Sequence, residues 1–419
     1  MNTVRRAAAA LAAAVVIGSG AALAAPAAAA PSPSTSETGT SGAIVGLYGS
    51  GDPTYDGVWR QSYAFLAQRG AGYQPADQAV KWLLDQQCAD GSFSSYRADS
   101  TKPCDDKTMR DTNATALAVQ ALGAVRRQYV TPENAATAVK AGTDWLRTVQ
   151  NKDGGWSYSP GAPSDANSTS VIVSALAATG TKPTDFTSVE GHNPYDALLT
   201  FALPCSDKEG AGAFAYQPDK DGKLLANADA TAAATLAGLG KSVVARRVEP
   251  PQTPTCQDPT KPTAERAALN GSSYLAKALA KTGYLLTPPM PGATDTADKP
   301  DVGNTADAVI ALAVTGATKE ALPSLEWLQK NSAAWAKKNG PAAYAQLILA
   351  ARSMETDPTA FGTVNLVSEL NALGPEPKVA DNSTAATDDE DSGFDIWWII
   401  GIGMVVGVGI GFLMSGRKK

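Results

Sequence analysis

The chain has 419 residues, 44% of them hydrophobic and 18% charged, with 35 basic against 41 acidic side chains. A formal net charge of −6 argues against nucleic acid, and against anionic lipid surfaces, as partners. The length allows one large domain or two small ones between any terminal signals.

The first thirty residues have the parts of a secretory signal peptide. Arg5 and Arg6 precede an Ala/Val-rich stretch over 7–25, and Ala28-Ala29-Ala30 offers small residues for cleavage. Residues 31–41, rich in Ser, Thr, Pro and Gly, form a flexible lead-in. In an exported chain an even cysteine count predicts disulfides. Cys88, Cys104, Cys205 and Cys256 allow three pairings. Cys88–Cys104 with Cys205–Cys256 is preferred, because each pair staples one long connection locally. No close C-x₂-C pair exists for a four-cysteine zinc site.

Two half-repeats alternate along 42–374. The first is an apolar helix that ends in a Gln- and Gly-rich turn and an aromatic. It reads Trp82-Leu83-Leu84-Asp85-Gln86-Gln87 then Asp90-Gly91-Ser92-Phe93, and again Trp145-Leu146-Arg147-Thr148-Val149-Gln150 then Asp153-Gly154-Gly155-Trp156. Glu326-Trp327-Leu328-Gln329 is a degraded copy. The second half-repeat is a polar cap opening an Ala-rich helix. Its copies start at Asp111-Thr112-Asn113, Asp165-Ala166-Asn167, Asn227-Ala228-Asp229 and Asp301-Val302-Gly303-Asn304. Asp or Asn ahead of an alanine run satisfies the first free backbone N–H groups of a helix. An alanine helix is thin, so several can crowd around one axis.

Helices are predicted over 57–68, 76–87, 112–127, 132–150, 166–179, 194–202, 228–240, 263–283, 302–315, 319–337, 341–353 and 360–372, which makes six pairs. No stretch alternates as a strand should. The fold class expected is all-α, an (α/α)6 toroid of helical hairpins. The segment from Leu47 to Gln61 reads as the seam that closes the ring against the last hairpin, with Asp56 and Arg60 paired.

Beyond the ring, 375–395 is an acidic linker containing Asp388-Asp389-Glu390-Asp391. Ile396 to Met414 carries no charge, and at about 1.5 Å per residue it reaches nearly the ~30 Å of a hydrocarbon core. Trp397 and Trp398 precede it, and Arg417, Lys418 and Lys419 follow in the tail 415–419. This predicts a single-pass cell-membrane protein with the ring outside and the C-terminus inside. Gly403, Gly407 and Gly411 give the span a flat face suited to a second helix, such as a membrane transport subunit.

The string Gln150-Asn151-Lys152-Asp153-Gly154-Gly155-Trp156 resembles the QxxxGxW repeat of squalene and terpene cyclases. The ectodomain resembles the α/α toroid superfamily that also holds prenyltransferase β subunits, complement thioester domains and cobalamin carriers of the transcobalamin and intrinsic-factor type. The fold is what this resemblance implies most directly, since one scaffold hosts many activities. The cyclase D-x-D-D acid is missing: Asp295-Thr296-Ala297-Asp298 lacks the double acid, and Asp388-Asp389-Glu390-Asp391 lies in the linker. His192 is the sole histidine, which removes the zinc set of a prenyltransferase and any serine–histidine pair. The thioester string Gly-Cys-Gly-Glu-Gln is absent. Asp pairs can be assembled into a glycosidase site, but only a known separation decides that.

Those exclusions leave no catalytic residue to name, and the habits closest to this chain's are those of the cobalamin carriers. The expectation is therefore a tethered small-molecule receptor with no required cofactor, cobalamin as first ligand, and a separate polypeptide as the covering domain. The alternatives are a cyclase-like enzyme with a non-standard acid and a protein-interaction scaffold. Ligand would meet the rim formed by the inner-helix caps Asp111, Asn113, Asp165, Asn167, Asn227, Asp229, Asp301 and Asn304, beside Tyr96, Tyr158 and Tyr216. The plainer role of each cap is to cap.

Overall fold

The computed structural model describes residues 44–125, 132–287 and 299–380. In chain order its helices are α1 (Gly57–Gly70), α2 (Asp77–Asp85), α3 (Thr112–Ala124), α4 (Pro132–Thr148), α5 (Ala166–Ala178), α6 (Pro194–Thr200), α7 (Ala228–Gly238), α8 (Ala264–Ala280), α9 (Val302–Val314), α10 (Thr318–Asn331), α11 (Ala333–Asn339), α12 (Pro341–Ser353) and α13 (Leu366–Asn371). The predicted helix 319–337 is two pieces, broken at Ser332 between α10 and α11.

The packing order shows a ring. α1 lies on α3, α3 on α5, α5 on α7, α7 on α9 and α9 on α12, and α12 returns to α1. Outside it α2, α4, α6, α8 and α10 each pack chiefly on one inner helix, and α11 and α13 back α12. Inner helices are short and alanine-rich, as in AVIALAV of α9, and nearly every alanine on them is fully buried. Small side chains let six helices meet around one axis, which larger ones would prevent.

The repeat has a hydrogen-bond basis. In each copy the cap is followed four residues later by Thr, and that hydroxyl receives the backbone N–H of the residue at the aromatic position of the preceding turn. Phe93 N–H donates to Thr115 Oγ1 (2.8 Å), Trp156 to Thr169 (3.1 Å), Phe214 to Thr231 (2.9 Å) and Leu285 to Thr305 (2.9 Å). The repeat glutamines clamp the same turns. Gln87 Nε2 donates to Gly91 O and Ala138 O, and Gln150 Nε2 donates to Gly154 O and Phe186 O. Gly91 and Gly154 hold φ of 92° and 88°, and a Cβ would meet Ala141 O at 2.2 Å or Asn193 O at 2.4 Å. Glycine is therefore required at both on two counts.

Tyr48 closes the seam. It is fully buried, and its hydroxyl donates to Pro375 O (2.5 Å) and accepts from Gln68 Nε2 (2.9 Å). Burial pushes its hydroxyl up to about 12. Gln68 also reaches Asn371 Oδ1, and Gly49 N–H bonds Leu373 O. Arg60 pairs with Asp56 at 3.4 Å.

Three two-stranded antiparallel ribbons were not expected from the sequence. β1 (Tyr73–Gln74) pairs with β6 (Lys378–Val379), β2 (Phe214–Pro218) with β3 (Leu224–Asn227), and β4 (Leu285–Leu286) with β5 (Pro300–Asp301). Runs of two to five residues are too short to show a period of two. At the C-terminal ends of α5, α9 and α12 a strap crosses the axis. Ser174 Oγ bonds Lys241 O, Arg247 N–H bonds Ser353 O and Val248 N–H bonds Ala313 O, while Val243 and Val244 pack on the core.

Both preferred disulfides are present, Cys88–Cys104 and Cys205–Cys256. The second closes a loop of 51 residues. Its removal by Cys205→Ser with Cys256→Ser is expected to cost about 4 kcal/mol, against about 3 kcal/mol for the first pair, from unfolded-chain entropy. Denaturant midpoints of the two double variants check that order.

The expectation of a single-pass membrane protein is corrected. Among the described residues no helix is long and apolar enough to cross a membrane. The apolar helices are the inner ones, and at 11 to 14 residues they span roughly 16–21 Å, well short of the ~30 Å required. The segments 1–30, 31–41 and 396–414, the acidic string at 388–391, and Gly403, Gly407 and Gly411 lie outside the described residues.

Candidate functional site

All six inner helices begin at the same end of the ring, so their first turns converge there. Four of the caps are occupied by capping. Asp111 Oδ1 accepts Ala114 N–H (2.9 Å), Asp165 Oδ1 accepts Ser168 N–H (2.7 Å), Asn227 Oδ1 accepts Ala230 N–H (2.9 Å) and Asp301 Oδ1 accepts Asn304 N–H (3.0 Å). Their second oxygens are also engaged: Asp111 Oδ2 takes Ser95 Oγ, Asp165 Oδ2 takes Ser168 Oγ, and Asp301 Oδ2 takes Asn304 Nδ2. Tyr158 and Tyr216 hydrogen-bond the Asp111 and Asp165 carboxyls, so both tyrosines tie one hairpin to the cap of its neighbour. Burial pushes both carboxyls up, and burial also raises both phenols. Tyr96 stacks on Trp82, 6.5 Å between centroids, beside Gly57 at the start of α1. Asp111, Asp165, Asn227, Asp301, Asn304, Tyr96, Tyr158 and Tyr216 therefore have structural partners at the rim.

Two residues beyond each cap the pattern changes. Asn113, Asn167, Asp229 and Gly303 occupy equivalent places and are only half-buried. One turn deeper Val171, Ala233 and Asp307 are half-buried too, as are Ala342 and Gln346 on α12 and Trp59 on α1. Further along the same helices Leu117, Ala121, Leu236, Ile310 and Leu312 are buried. The axis is thus open for about two turns from the helix N-termini and packed below.

Inside that recess lie contacts between side chains of different helices. Asn167 Nδ2 on α5 donates to Asp229 Oδ2 on α7 (2.6 Å). Gln346 Nε2 on α12 donates to Asp307 Oδ2 on α9 (2.8 Å) and to Gly303 O (3.3 Å). Trp335 of α11 stands over Gly303, where a Cβ would come within 3.5 Å of its ring. Trp59 and the buried Tyr63 form a tilted pair at 5.3 Å on the α1 side.

Asp307 is pushed up to about 7, by burial first and then by the charges of Asp229 and Asp301, while the Gln346 N–H pulls the other way. The Tyr63 hydroxyl is raised well above its ordinary value by burial, with Asp307 and Asp229 adding to it. A carboxyl that is half protonated at neutral pH, beside a second carboxyl, is equipped to give and take protons. Among the described residues no group of three or more His, Cys, Asp or Glu is arranged to hold a metal ion. A separate open cavity of about 300 Å³ lies by the β2–β3 turn, near Asp207, Lys208, Glu209 and Lys223. It contains none of the recess residues.

Asp307, Tyr63 and Gln346 were missed in the sequence. The signal was there for Asp307: it is the one acidic residue within an inner helix beyond the first turn, set among Ala, Val, Ile and Leu. An ionisable group in an otherwise apolar buried helix is expensive unless it has a use.

No protein-family model matches the chain, and no curated protein matches it. Solved structures are similar to it in part. A protein from Actinoplanes is 21% identical, with 74% of this chain and 80% of that one covered and a TM-score of 0.46. A wild-type glycosidase is 14% identical, with 76% and 92% covered and a TM-score of 0.44. A type II terpene cyclase from Scytonema is 12% identical, with 74% and 71% covered and a TM-score of 0.36. At these identities and scores the likeness assigns neither a family nor an activity. The cobalamin-carrier resemblance gains no support from it.

Proposed function

We propose that the chain is an enzyme whose non-standard acid is Asp307, and that the axial recess is its active site. The observation that supports this reading is Asp307 itself: a carboxyl inside an apolar helix, raised to about 7 by burial, and fixed by Gln346 at 2.8 Å. The enzyme alternative is preferred to the receptor reading, because the rim carboxyls of Asp111, Asp165 and Asp301 are each engaged by a nearby side chain.

The lining favours a neutral, hydroxyl-bearing substrate. Asn167 and Gln346 offer amides, Trp59 and Trp335 offer aromatic faces, and two carboxyls offer acceptors. A terpene carbocation would be intercepted by such groups, and an acid near 7 is weak for protonating an alkene. It suits protonation of an oxygen leaving group, as in hydrolysis of a glycosidic C–O bond. In that step Asp307 gives its proton to the departing oxygen as the C–O bond breaks. Water forms the new C–O bond and releases a proton to a second base.

The test is a panel of aryl glycosides and oligosaccharides offered to the full chain, read by release of phenol or reducing sugar. Turnover that rises to a maximum near pH 6–7 and is lost in Asp307→Asn supports the reading. No release from any member by the folded protein, with no saccharide binding by calorimetry, overturns it.

A further inference from the structure

We infer that Asp229 is the second catalytic carboxylate of the recess and that Asn167 is the residue that positions it. The inference rests on the acid reading of Asp307 and extends it to that acid's partner.

The two recess carboxyls are held alike and yet differently. Each receives one amide N–H from a neighbouring helix, Asp307 from Gln346 and Asp229 from Asn167. Gln346 is also tied to the Gly303 carbonyl. Asn167 has no such second tie. Its Oδ1 is shielded from solvent and has no hydrogen-bond partner. A buried polar atom left unpaired in a native fold calls for a reason. Here the reason is the orientation of the amide: turning Nδ2 onto Asp229 leaves Oδ1 without a donor. At 2.6 Å the Asn167–Asp229 contact is as short as those that amides make to charged carboxylates. A donor held on a carboxylate favours its charged form, which is the form a base must have.

Asp229 and Asp307 come from adjacent inner helices, and each stands at an axial position, two and six residues past its cap. Groups that act on or feel Asp229 include Asn167 from α5, Tyr63 from α1, Asp307 from α9 and Tyr216 from β2. The negative charge of Asp229 is itself one of the causes that raise Asp307. The division of labour follows: Asp229 accepts the proton of the attacking water, Asp307 delivers one to the leaving oxygen, and exchange with solvent resets both.

The test uses the full chain carrying carboxyl-labelled aspartate, with the two resonances assigned through Asp229→Asn and Asp307→Asn. In Asn167→Leu, of similar size but without the amide, the Asp229 midpoint should rise by at least half a pH unit. The Asp307 midpoint should fall in Asp229→Asn, whose neutral side chain no longer opposes its ionisation, and stay in place in Asn167→Leu, where Asp229 is still charged. The acid limb of any pH–rate profile should move with Asp229, and kcat should drop tenfold or more with little change in KM. Asn167→Asp, which keeps the shape but sets a second carboxyl against Asp229, should raise that midpoint further than the leucine variant does, by like-charge coupling, so a packing effect alone is separable. Unmoved midpoints in both variants sink the positioning role. If Asp229→Asn keeps full turnover while Asp307→Asn is inactive, the pairing fails and the acid reading stands. If Asp307→Asn is itself active, the acid reading fails and the pairing goes with it.

Discussion

Asp307→Asn is expected to yield a protein that is inactive yet more stable at pH 8 than the unaltered chain. The carboxyl goes from an ordinary 3.8 when unfolded to about 7 when folded, by burial first and neighbouring carboxyls second. Between those two values the folded state holds a proton that the unfolded state has released. Stability therefore falls as pH rises from about 4 to about 7 and stays low above it. A shift of that size corresponds to about 4 kcal/mol for a fully enclosed group. Asp307 keeps some contact with solvent, so about 1–3 kcal/mol is the reasonable range. Asparagine cannot ionise and can still accept the Gln346 N–H through its carbonyl. The variant should therefore gain that amount at pH 8 and nothing at pH 4, while turnover falls by a factor of about 10² or more. Urea midpoints at the two pH values decide the matter. Equal midpoints for both proteins at both pH values would show that Asp307 carries no penalty, and would remove the ground for treating it as the acid.

Much of the ring was readable because the repeat is a local device with a local chemistry. Asp111, Asp165, Asn227 and Asp301 are the caps their sequence context implies, and the alanine runs behind them are the inner wall. Cys88–Cys104 was readable because it brackets the single long connection between α2 and α3, whereas Cys205–Cys256 encloses α7 and joins the connections on either side of it. The recess was not, for a geometric reason. Its contacts join residues far apart in sequence, 62 positions for Asn167 with Asp229 and 39 for Asp307 with Gln346. No window-based pattern brings such pairs together. The rim tyrosines show the opposite failure. Tyr158 and Tyr216 look like ligand contacts in a linear reading, yet their hydroxyls tie the caps of neighbouring hairpins. Polarity next to an aromatic marks a site only when the polar group has no partner inside the fold.

Trp156→Ala should be among the most damaging single substitutions in the ring. Trp156 has no exposed surface, and its Nε1–H donates to Leu146 O at 2.8 Å, in the last turn of α4 where that carbonyl has no helical partner. Its ring also lies against Phe186, over which the Arg147 guanidinium sits at 3.7 Å. Truncation removes a large buried ring, worth about 3–5 kcal/mol, and strands the Leu146 carbonyl for about 1 kcal/mol more. A domain of this kind has about 5–15 kcal/mol in all, so the variant should populate unfolded chain under mild denaturant. Trp156→Phe tests the repeat itself. Phe93 fills the equivalent place one hairpin earlier and makes the same backbone bond, to Thr115 where Trp156 bonds Thr169. Phenylalanine at 156 should therefore keep the turn and lose chiefly the indole hydrogen bond and some volume, for about 1–2 kcal/mol. Denaturant midpoints at constant slope measure both. If the two variants cost the same, the indole bond rather than ring burial holds this hairpin, and the repeat aromatic would not be the wedge between neighbouring hairpins that its burial implies.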